Sequence, residues 1–525
     1  MNFEPENSIR RTILLPKVPS LTSLLAVLLA FVGQVTASVR LNRLFTDNMV
    51  LQCDKPVPIW GTADPGERVT VRVAGRRASA TPDAAGRWQV KLNPIPAGGP
   101  YSLQVQGFET QVLSNVMIGE VWICSGQSNM SYSMRLFPSY ADTLAKANFP
   151  DIRLFGASEP DGWRMCDSAS LRTFSAVGFF FGKNIQMRLG ITVGIIEAAQ
   201  SGTEIERWMP KTSIIELPEL KYNPSSYGDL FKAYVHPLAP FAIRGFLWYQ
   251  GEQNVNLNRQ CYLRFFNAMI WGWRKVWDQE DLPFLYVQLA NYLDRQADPM
   301  ESRWAELREA QRLAAAIPNT GMAVTIDIGE AYNIHPINKH DVGRRLSLLA
   351  RALVYHEDIE YSGPDLKSSR IDSGKAVLNF THVGSGLVAK GNGRLVGFSI
   401  SGADNRFHWA DAEILDGNQV HISCPQVPEP TQVRYGWADN PELNLYNSEG
   451  LPASPFSTAS EIPEFLISGS QQVIAIRRVT LPVGVSRGFY SLLGRRLEVT
   501  KSEGGEFLVL RKTFGIPFQV VHPDD

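Results

Sequence analysis

Between residues 117 and 356 the spacing of the apolar residues alternates between two periods, and this alternation narrows the fold more than anything else in the chain. Apolar stretches of strand length lie at 116–124, 192–199, 244–249, 284–289 and 322–327. Amphipathic stretches of helical length lie at 175–188, 258–276, 301–316 and 339–355. Pro299, just ahead of Glu301 and Ser302, suits a helix start. Strands alternating with helices predict an α/β unit, a largely parallel sheet with helices on both faces. In such a sheet, ligands sit at the carboxyl ends of the strands. The loops that follow the apolar stretches are therefore where chemistry is expected.

The flanks have a different period. Residues 39–116 alternate as strands (Val69-Thr-Val-Arg-Val73, Trp88-Gln-Val-Lys-Leu92), with turns at Asp64-Pro-Gly66, 83–86 and Ala97-Gly-Gly-Pro100. A β pattern returns from about residue 361, with 395–400 and 419–423 as strands. It continues past Ser457 in 472–479 and 506–511. A length of 525 residues suits about three folded units. The expected division is 1–37 signal peptide, 38–115 N-terminal β-sandwich, 116–358 catalytic domain, 359–457 C-terminal β-domain and 458–525 β-rich extension. Arg10, Arg11 and Lys17 precede the short apolar core 21–35, which ends in Val35-Thr36-Ala37, a small-residue cleavage site. That pattern predicts a secreted or periplasmic protein with no transmembrane span once cleaved; an uncleaved anchor is the alternative. The formal net charge is −1 and no Lys/Arg run is present, which argues against nucleic acid as a partner and for a small or neutral substrate. Cys53, Cys124, Cys166, Cys261 and Cys424 form no CxxC or Cys/His cluster, so neither a metal nor another cofactor is expected.

The first apolar stretch runs into Val121-Trp-Ile-Cys-Ser-Gly-Gln-Ser-Asn-Met130. Ser128 stands where a helix could begin, beside amide N–H groups that have no partner of their own. A hydroxyl there is a candidate nucleophile, with donors for an oxyanion alongside. It is equally suited to capping a helix. Met130 stands where a Gly-x-Ser-x-Gly elbow needs its second glycine, which excludes an α/β-hydrolase elbow. A serine nucleophile needs a base, usually histidine, and there are eight. His236 precedes a proline in an apolar stretch; His382, His408 and His421 lie in β patterns; His522 is in the tail; His356 ends a helix. His335 and His340 remain, and His340 falls a turn inside the helix, on its surface. His335 follows the last strand and enters the next helix, whose N-terminus disfavours an imidazolium. A histidine packed in a loop is the structural alternative. Trp248-Tyr-Gln-Gly-Glu-Gln-Asn254 and Gln200-Ser-Gly-Thr203 also follow strands, and their amides and glycines serve either an oxyanion hole or turns.

These residues resemble the sialate O-acetylesterase family, SGNH-type carbohydrate esterases. Phe45-Thr-Asp-Asn-Met-Val-Leu-Gln52, Gly119 to Met130, Phe174-Ser-Ala-Val-Gly178, Trp248 to Asn254 and Trp304-Ala-Glu-Leu-Arg-Glu-Ala-Gln311 carry the likeness. So do Ile334-His-Pro-Ile-Asn-Lys339, Val342-Gly-Arg-Arg-Leu346, Val433-Arg-Tyr-Gly-Trp437 and Gly450-Leu-Pro-Ala-Ser-Pro-Phe456. The resemblance implies a flavodoxin-like three-layer α/β/α catalytic domain flanked by β-sandwich domains, with Ser128 as nucleophile and His335 as base. It implies a carbohydrate O-acetylesterase acting on acetylated sialic acid or a related glycan. Gln127, Gly202, Gln250, Gly251, Glu252 and Asn254 are the expected oxyanion and binding residues.

The chain departs from the family's pattern in three places. Members often carry Asp-Ile-His at the base; here the first position is Asn333. Asn333, Asp327, Glu330 or a backbone carbonyl is then left to orient His335, or Ser128 and His335 act as a dyad. The usual Trp-Gly-Gly-Thr is Gln200-Ser-Gly-Thr, which opens the alternative of a xylan or pectin deacetylase. The changes at Asn333 and Gln200 together leave open a non-catalytic glycan-binding protein. The stretch after Ser457 is outside the family, and Gly488-Phe-Tyr-Ser-Leu-Leu-Gly-Arg-Arg496 with 507–512 resembles a C-terminal cell-surface module of secreted Bacteroidetes-type proteins.

Overall fold

The structure, a computed structural model, describes residues 39–214, 226–391, 393–463 and 466, together with four short strands further on. The expected signal peptide at 1–37 and the strand expected at 472–479 lie outside the described residues. In the tail, Phe489–Tyr490 pairs with Arg496–Leu497 and Val509–Arg511 with Gln519–Val521.

The central sheet contains β1 (Thr110–Gly126), β2 (Asn148–Gly156), β3 (Val193–Ala199), β4 (Gly245–Tyr249), β5 (Phe284–Val287) and β6 (Thr320–Ala323) in the spatial order β2-β3-β1-β4-β5-β6. All of these neighbours are parallel. Arg164–Asp167 adds an antiparallel edge to β2. Without that outer hairpin, the strands rank 2-1-3-4-5 in chain order, the doubly wound arrangement of flavodoxin-like sheets. Helices α1 (Ala176–Leu189), α2 (Tyr262–Val276), α3 (Arg303–Leu313) and α4 (Lys339–Leu353) flank the sheet. The apolar runs are continuous because the central strands are covered on both faces: residues 118–126 of β1 are buried almost without interruption. Each fully buried Val, Ile or Leu there contributes roughly 1.5–3 kcal/mol.

The helix starts follow from their caps. Ser175 accepts from the Gly178 amide at 3.0 Å, Ser302 from Ala305 at 3.0 Å and Asn338 from Asp341 at 3.0 Å. The pattern expected from 258 begins instead as a 3-10 turn, Arg259–Cys261, before α2.

The boundary drawn at 115/116 falls inside one uninterrupted strand. The first half of β1 pairs antiparallel with Gly98–Gln106 and parallel with Val50–Gln52, inside the N-terminal β unit. Its second half is the centre of the α/β sheet. A second N-terminal sheet comprises Arg40–Leu41, Val57–Thr62 and Arg87–Leu92. Beyond α4, Asp365–Asp372, Lys375–Thr381, Gln419–Ser423 and Asp411–Leu415 form an antiparallel sheet. It packs with Phe398–Ser401, Gln432–Tyr435 and Phe456–Ser457 around a separate core that includes Leu378, Ile400, Ile422 and Tyr435. All five cysteines are free. Among the described residues no helix is long and apolar enough to cross a membrane.

Candidate active site

At its carboxyl end β1 turns sharply, and a glycine is required there. Gly126 has φ +136°, and a Cβ on it would lie 2.1 Å from the carbonyl oxygen of Tyr249 in β4. The Gln127 amide then donates to that same carbonyl at 3.0 Å. A one-turn helix, Ser128–Ser131, follows. Gln127 occupies its cap position without a side-chain capping bond, so Ser128 is the first helical residue and its hydroxyl does not cap.

The Ser128 Oγ lies 2.9 Å from His335 Nε2. His335 comes from the loop after β6, immediately before the Asn338 cap of α4. Burial, and then the neighbouring Lys339 ammonium, hold its imidazole below the ordinary value of 6.5. The ring stacks on Tyr132, with centroids 4.0 Å apart and planes at 25°. A neutral imidazole within hydrogen-bonding reach of a hydroxyl can take its proton.

The residues considered for orienting that ring are engaged elsewhere. Asn333 Oδ1 accepts from the His335 backbone N–H at 3.0 Å, and its Nδ2 donates to Glu330 at 3.1 Å. Glu330 also accepts the Ile337 amide at 2.7 Å. Asp327 is held by both terminal nitrogens of Arg345, at 2.5 and 2.8 Å, and by the Tyr446 hydroxyl at 3.2 Å. β6 ends at Ala323, four residues short of the expected end, so Asp327 lies in the loop rather than on the strand. Among the described residues, Nδ1 of His335 has no hydrogen-bond partner.

The Gln200–Thr203 loop lies against the nucleophile turn. The Gln200 amide donates to the Gly126 carbonyl at 3.0 Å, and the Ser131 and Ser201 hydroxyls meet at 3.1 Å. Among the described residues, the amides of Ser128, Asn129 and Gly202 have no acceptor. A Cβ on Gly202 would meet nothing within 4 Å, so this face is open to a ligand.

The expected amides of the 250–254 loop are a correction. Gln250 and Asn254 are both fully buried. Gln250 Nε2 donates to Thr203 O at 3.1 Å and to Asn254 Oδ1 at 2.7 Å. Asn254 Nδ2 donates to Glu206 at 2.9 Å and to Leu257 O at 3.2 Å. Their donors are consumed in bracing the loop and cannot also serve an oxyanion. Gln127 braces the loop only through its oxygen, accepting from the Gly251 and Gln253 amides at 3.3 and 3.4 Å, while its Nε2 has no acceptor among the described residues. Gly251 itself adopts φ +149°.

Glu252 belongs to a buried chain beneath the serine. Asn129 Nδ2 donates to Glu252 and to the Ile334 carbonyl, the latter at 2.9 Å, and Asn129 Oδ1 accepts from the Lys339 ammonium. Burial lowers the Lys339 ammonium to about 7 and raises the Glu252 carboxyl. Asn129, Lys339 and Tyr132 escaped the sequence reading. Lys339 did leave a signal: a lysine at the first position of a helix opposes the macrodipole, which asks for a specific partner.

The family described as "carbohydrate esterase, sialic acid-specific acetylesterase" matches residues 118–347. The chain is 28% identical to the Homo sapiens sialate O-acetylesterase, over 79% of this chain and 92% of that protein. The Rattus norvegicus sialate O-acetylesterase is 27% identical, over 79% and 93%. A crystal structure of a carbohydrate acetylesterase from Xanthomonas citri superposes with a TM-score of 0.74 at 40% identity, covering 80% of this chain and 99% of that one.

Proposed function

The chain belongs to the sialic acid-specific acetylesterase family of carbohydrate esterases, and on that premise we propose that it hydrolyses sugar O-acetyl esters through Ser128 and His335. It is a carbohydrate O-acetylesterase. Ser128 Oγ attacks the acetyl carbonyl carbon while His335 Nε2 takes the hydroxyl proton. The carbonyl π electrons move onto oxygen, where the amides of Ser128 and Gly202 are the donors that fit. The intermediate collapses, the bond to the sugar oxygen breaks, and the imidazolium returns its proton to that oxygen. Water then attacks the acetyl-serine carbonyl while His335 takes one of its protons. The bond to Ser128 Oγ breaks, the imidazolium returns the proton to that oxygen, and acetic acid departs and ionises to acetate. Removing a single oxyanion donor typically costs ~10²–10³ in kcat, and losing the nucleophile costs more.

The observation that supports these roles is the 2.9 Å contact between Ser128 Oγ and His335 Nε2, joining residues 207 positions apart. The test is Ser128→Ala: the variant should fold as wild type and release no acetate from an aryl acetate. Wild type should be labelled at Ser128 by a serine-directed phosphonate. Activity retained in Ser128→Ala would refute the assignment.

Acetylated sialic acid is the substrate the family favours. A plant or microbial polysaccharide such as acetylated xylan is the second reading. It is favoured by Gln200, whose side chain stands 3.5 Å from the Tyr234 hydroxyl where family members often carry tryptophan. Acetate release from the two substrates side by side decides between them. The leader-like residues 10–37 support export, and the 458–525 stretch is proposed as a surface attachment. N-terminal sequencing of the exported protein beginning after Ala37 would bear out the first.

A further inference from the structure

The ring of His335 has no acceptor for Nδ1 among the described residues, so its aim depends on the loop that carries it. That loop leans on the 289–297 loop after β5. Asn291 Oδ1 accepts the Gly329 amide at 2.8 Å, and the Leu293 amide donates to the Ala331 carbonyl at 2.8 Å. The Tyr332 hydroxyl donates to Asp294 at 2.6 Å. The approach at Gly329 is close: a Cβ there would lie 2.1 Å from the Asn291 carbonyl oxygen.

The 289–297 loop is in turn held by the C-terminal β-domain. Asn291 Nδ2 donates to Asn440 Oδ1 at 2.8 Å, and Asn440 Nδ2 donates to the Leu293 carbonyl at 2.7 Å. The Tyr292 amide donates to the Asp439 carbonyl at 3.1 Å. Arg308 of α3, fully buried, spans the junction, donating to the carbonyls of Leu289 and Ala290 on one side and of Ala438 and Asp439 on the other. Asn291 reaches both ways, to the histidine loop through its oxygen and to the β-domain through its nitrogen.

We propose that Asn440 is a positioning residue for His335, acting through Asn291, so that the C-terminal β-domain completes the active site rather than merely flanking it. Asn440 touches neither Ser128 nor His335. Its effect is on the geometry of the base, and a shift of about 1 Å in a reacting group can cost on the order of 10² in rate.

The test uses the full chain and rests on the Ser128–His335 reading. Asn440→Ala is expected to lower kcat for an aryl acetate about 10- to 100-fold, with KM within about twofold and a parallel fall in the rate of phosphonate labelling at Ser128. Ser302→Ala is the control. It removes another bond between the domains, to Asp439 at 2.5 Å, and with it the cap of α3, without contacting the 289–297 or 329–335 loops; its melting temperature should fall while kcat measured well below the transition stays at the wild-type value. Wild-type kcat in folded Asn440→Ala, or an equal loss of kcat in Ser302→Ala, overturns the proposal. If Asn440→Ala does not fold, Asn440→Asp replaces it. Its carboxylate still accepts from Asn291 but cannot donate to Leu293, and wild-type kcat in that variant overturns the proposal too. Failure of the underlying reading is distinguishable: wild type would then resist the phosphonate and Ser128→Ala would stay active.

Discussion

Asp327→Asn separates two roles that the sequence left open for one carboxylate. If Asp327 oriented His335, the change would leave the protein folded and cut kcat by about 10⁴, the size of effect seen when a histidine-orienting aspartate becomes asparagine. The structure gives the carboxylate to Arg345 instead. Their side chains are only 9% and 6% exposed, the contact is two-pronged, and Arg345 Nη1 also reaches the Val324 carbonyl at 2.6 Å. Breaking such a buried pair from one side costs about 3–5 kcal/mol, because the surviving charge is left uncompensated. Asparagine keeps the shape and one acceptor, so the low end, about 3 kcal/mol, is expected. That is a large fraction of the ~5–15 kcal/mol that holds a typical domain folded. The melting temperature should therefore fall by several degrees, while kcat for an aryl acetate, measured well below the transition, stays within about threefold of wild type. Thermal melting and steady-state kinetics on one preparation suffice. An unchanged melting temperature with a kcat loss near 10⁴ would refute the assignment of Asp327 to Arg345.

The remaining expectations concern pH and backbone. Because burial and Lys339 hold the His335 imidazole down, the acidic limb of kcat/KM should fall below the ordinary imidazole value of 6.5; Lys339→Met removes a cation and should move it upward, and a wild-type midpoint above 6.5 would contradict this. Glu197, half-buried on β3, accepts the Ser175 amide at 2.9 Å, and desolvation raises its carboxyl from 4.5 to about 8. The folded state then binds more protons than the unfolded one between those values, so stability should decline as pH rises through that window. Glu197→Gln should flatten the decline, as read from melting temperatures at pH 5 and pH 8. Gly126→Ala combines a left-handed φ with a backbone clash at 2.1 Å, and should cost at least ~3 kcal/mol or yield insoluble protein; a well-folded, fully active variant would show that the β1–β4 junction yields.

The sheet and its helices were legible because burial on both faces imposes a period, and the period is carried by the residues themselves. β2 was not: only its last five residues, Ile152 to Gly156, are buried, and Pro150 and Asp151 ahead of them look like a turn. The junction at 115/116 was drawn where the pattern changes, but a strand can change its neighbours without changing its backbone, and β1 does. Ser128 and His335 were legible as members of loops following strands, since topology alone brings the ends of parallel strands to one rim.

Which way a loop side chain points is a different kind of fact, set by hydrogen bonds between segments remote in sequence. Asn254 and Gln250 have the composition of an oxyanion hole, yet each amide N–H is consumed by a neighbour. Asn333 stands where an aspartate would be expected to face the ring, and its side chain bonds the backbone amide of His335 instead. With no carboxylate on Nδ1, the ring must be held by other means. The Tyr132 stack fixes its plane, the Asn129 bond to the Ile334 carbonyl fixes the chain before it, and Asn291 fixes the loop at Gly329. A charged third member would both aim the base and stabilise its protonated form. Here the aiming is shared among neutral groups, and the nearest buried cation, Lys339, works against protonation. Such a base takes the serine's proton less readily than a carboxylate-backed one but gives it up more readily, which suits an ester whose leaving sugar oxygen must receive that proton promptly.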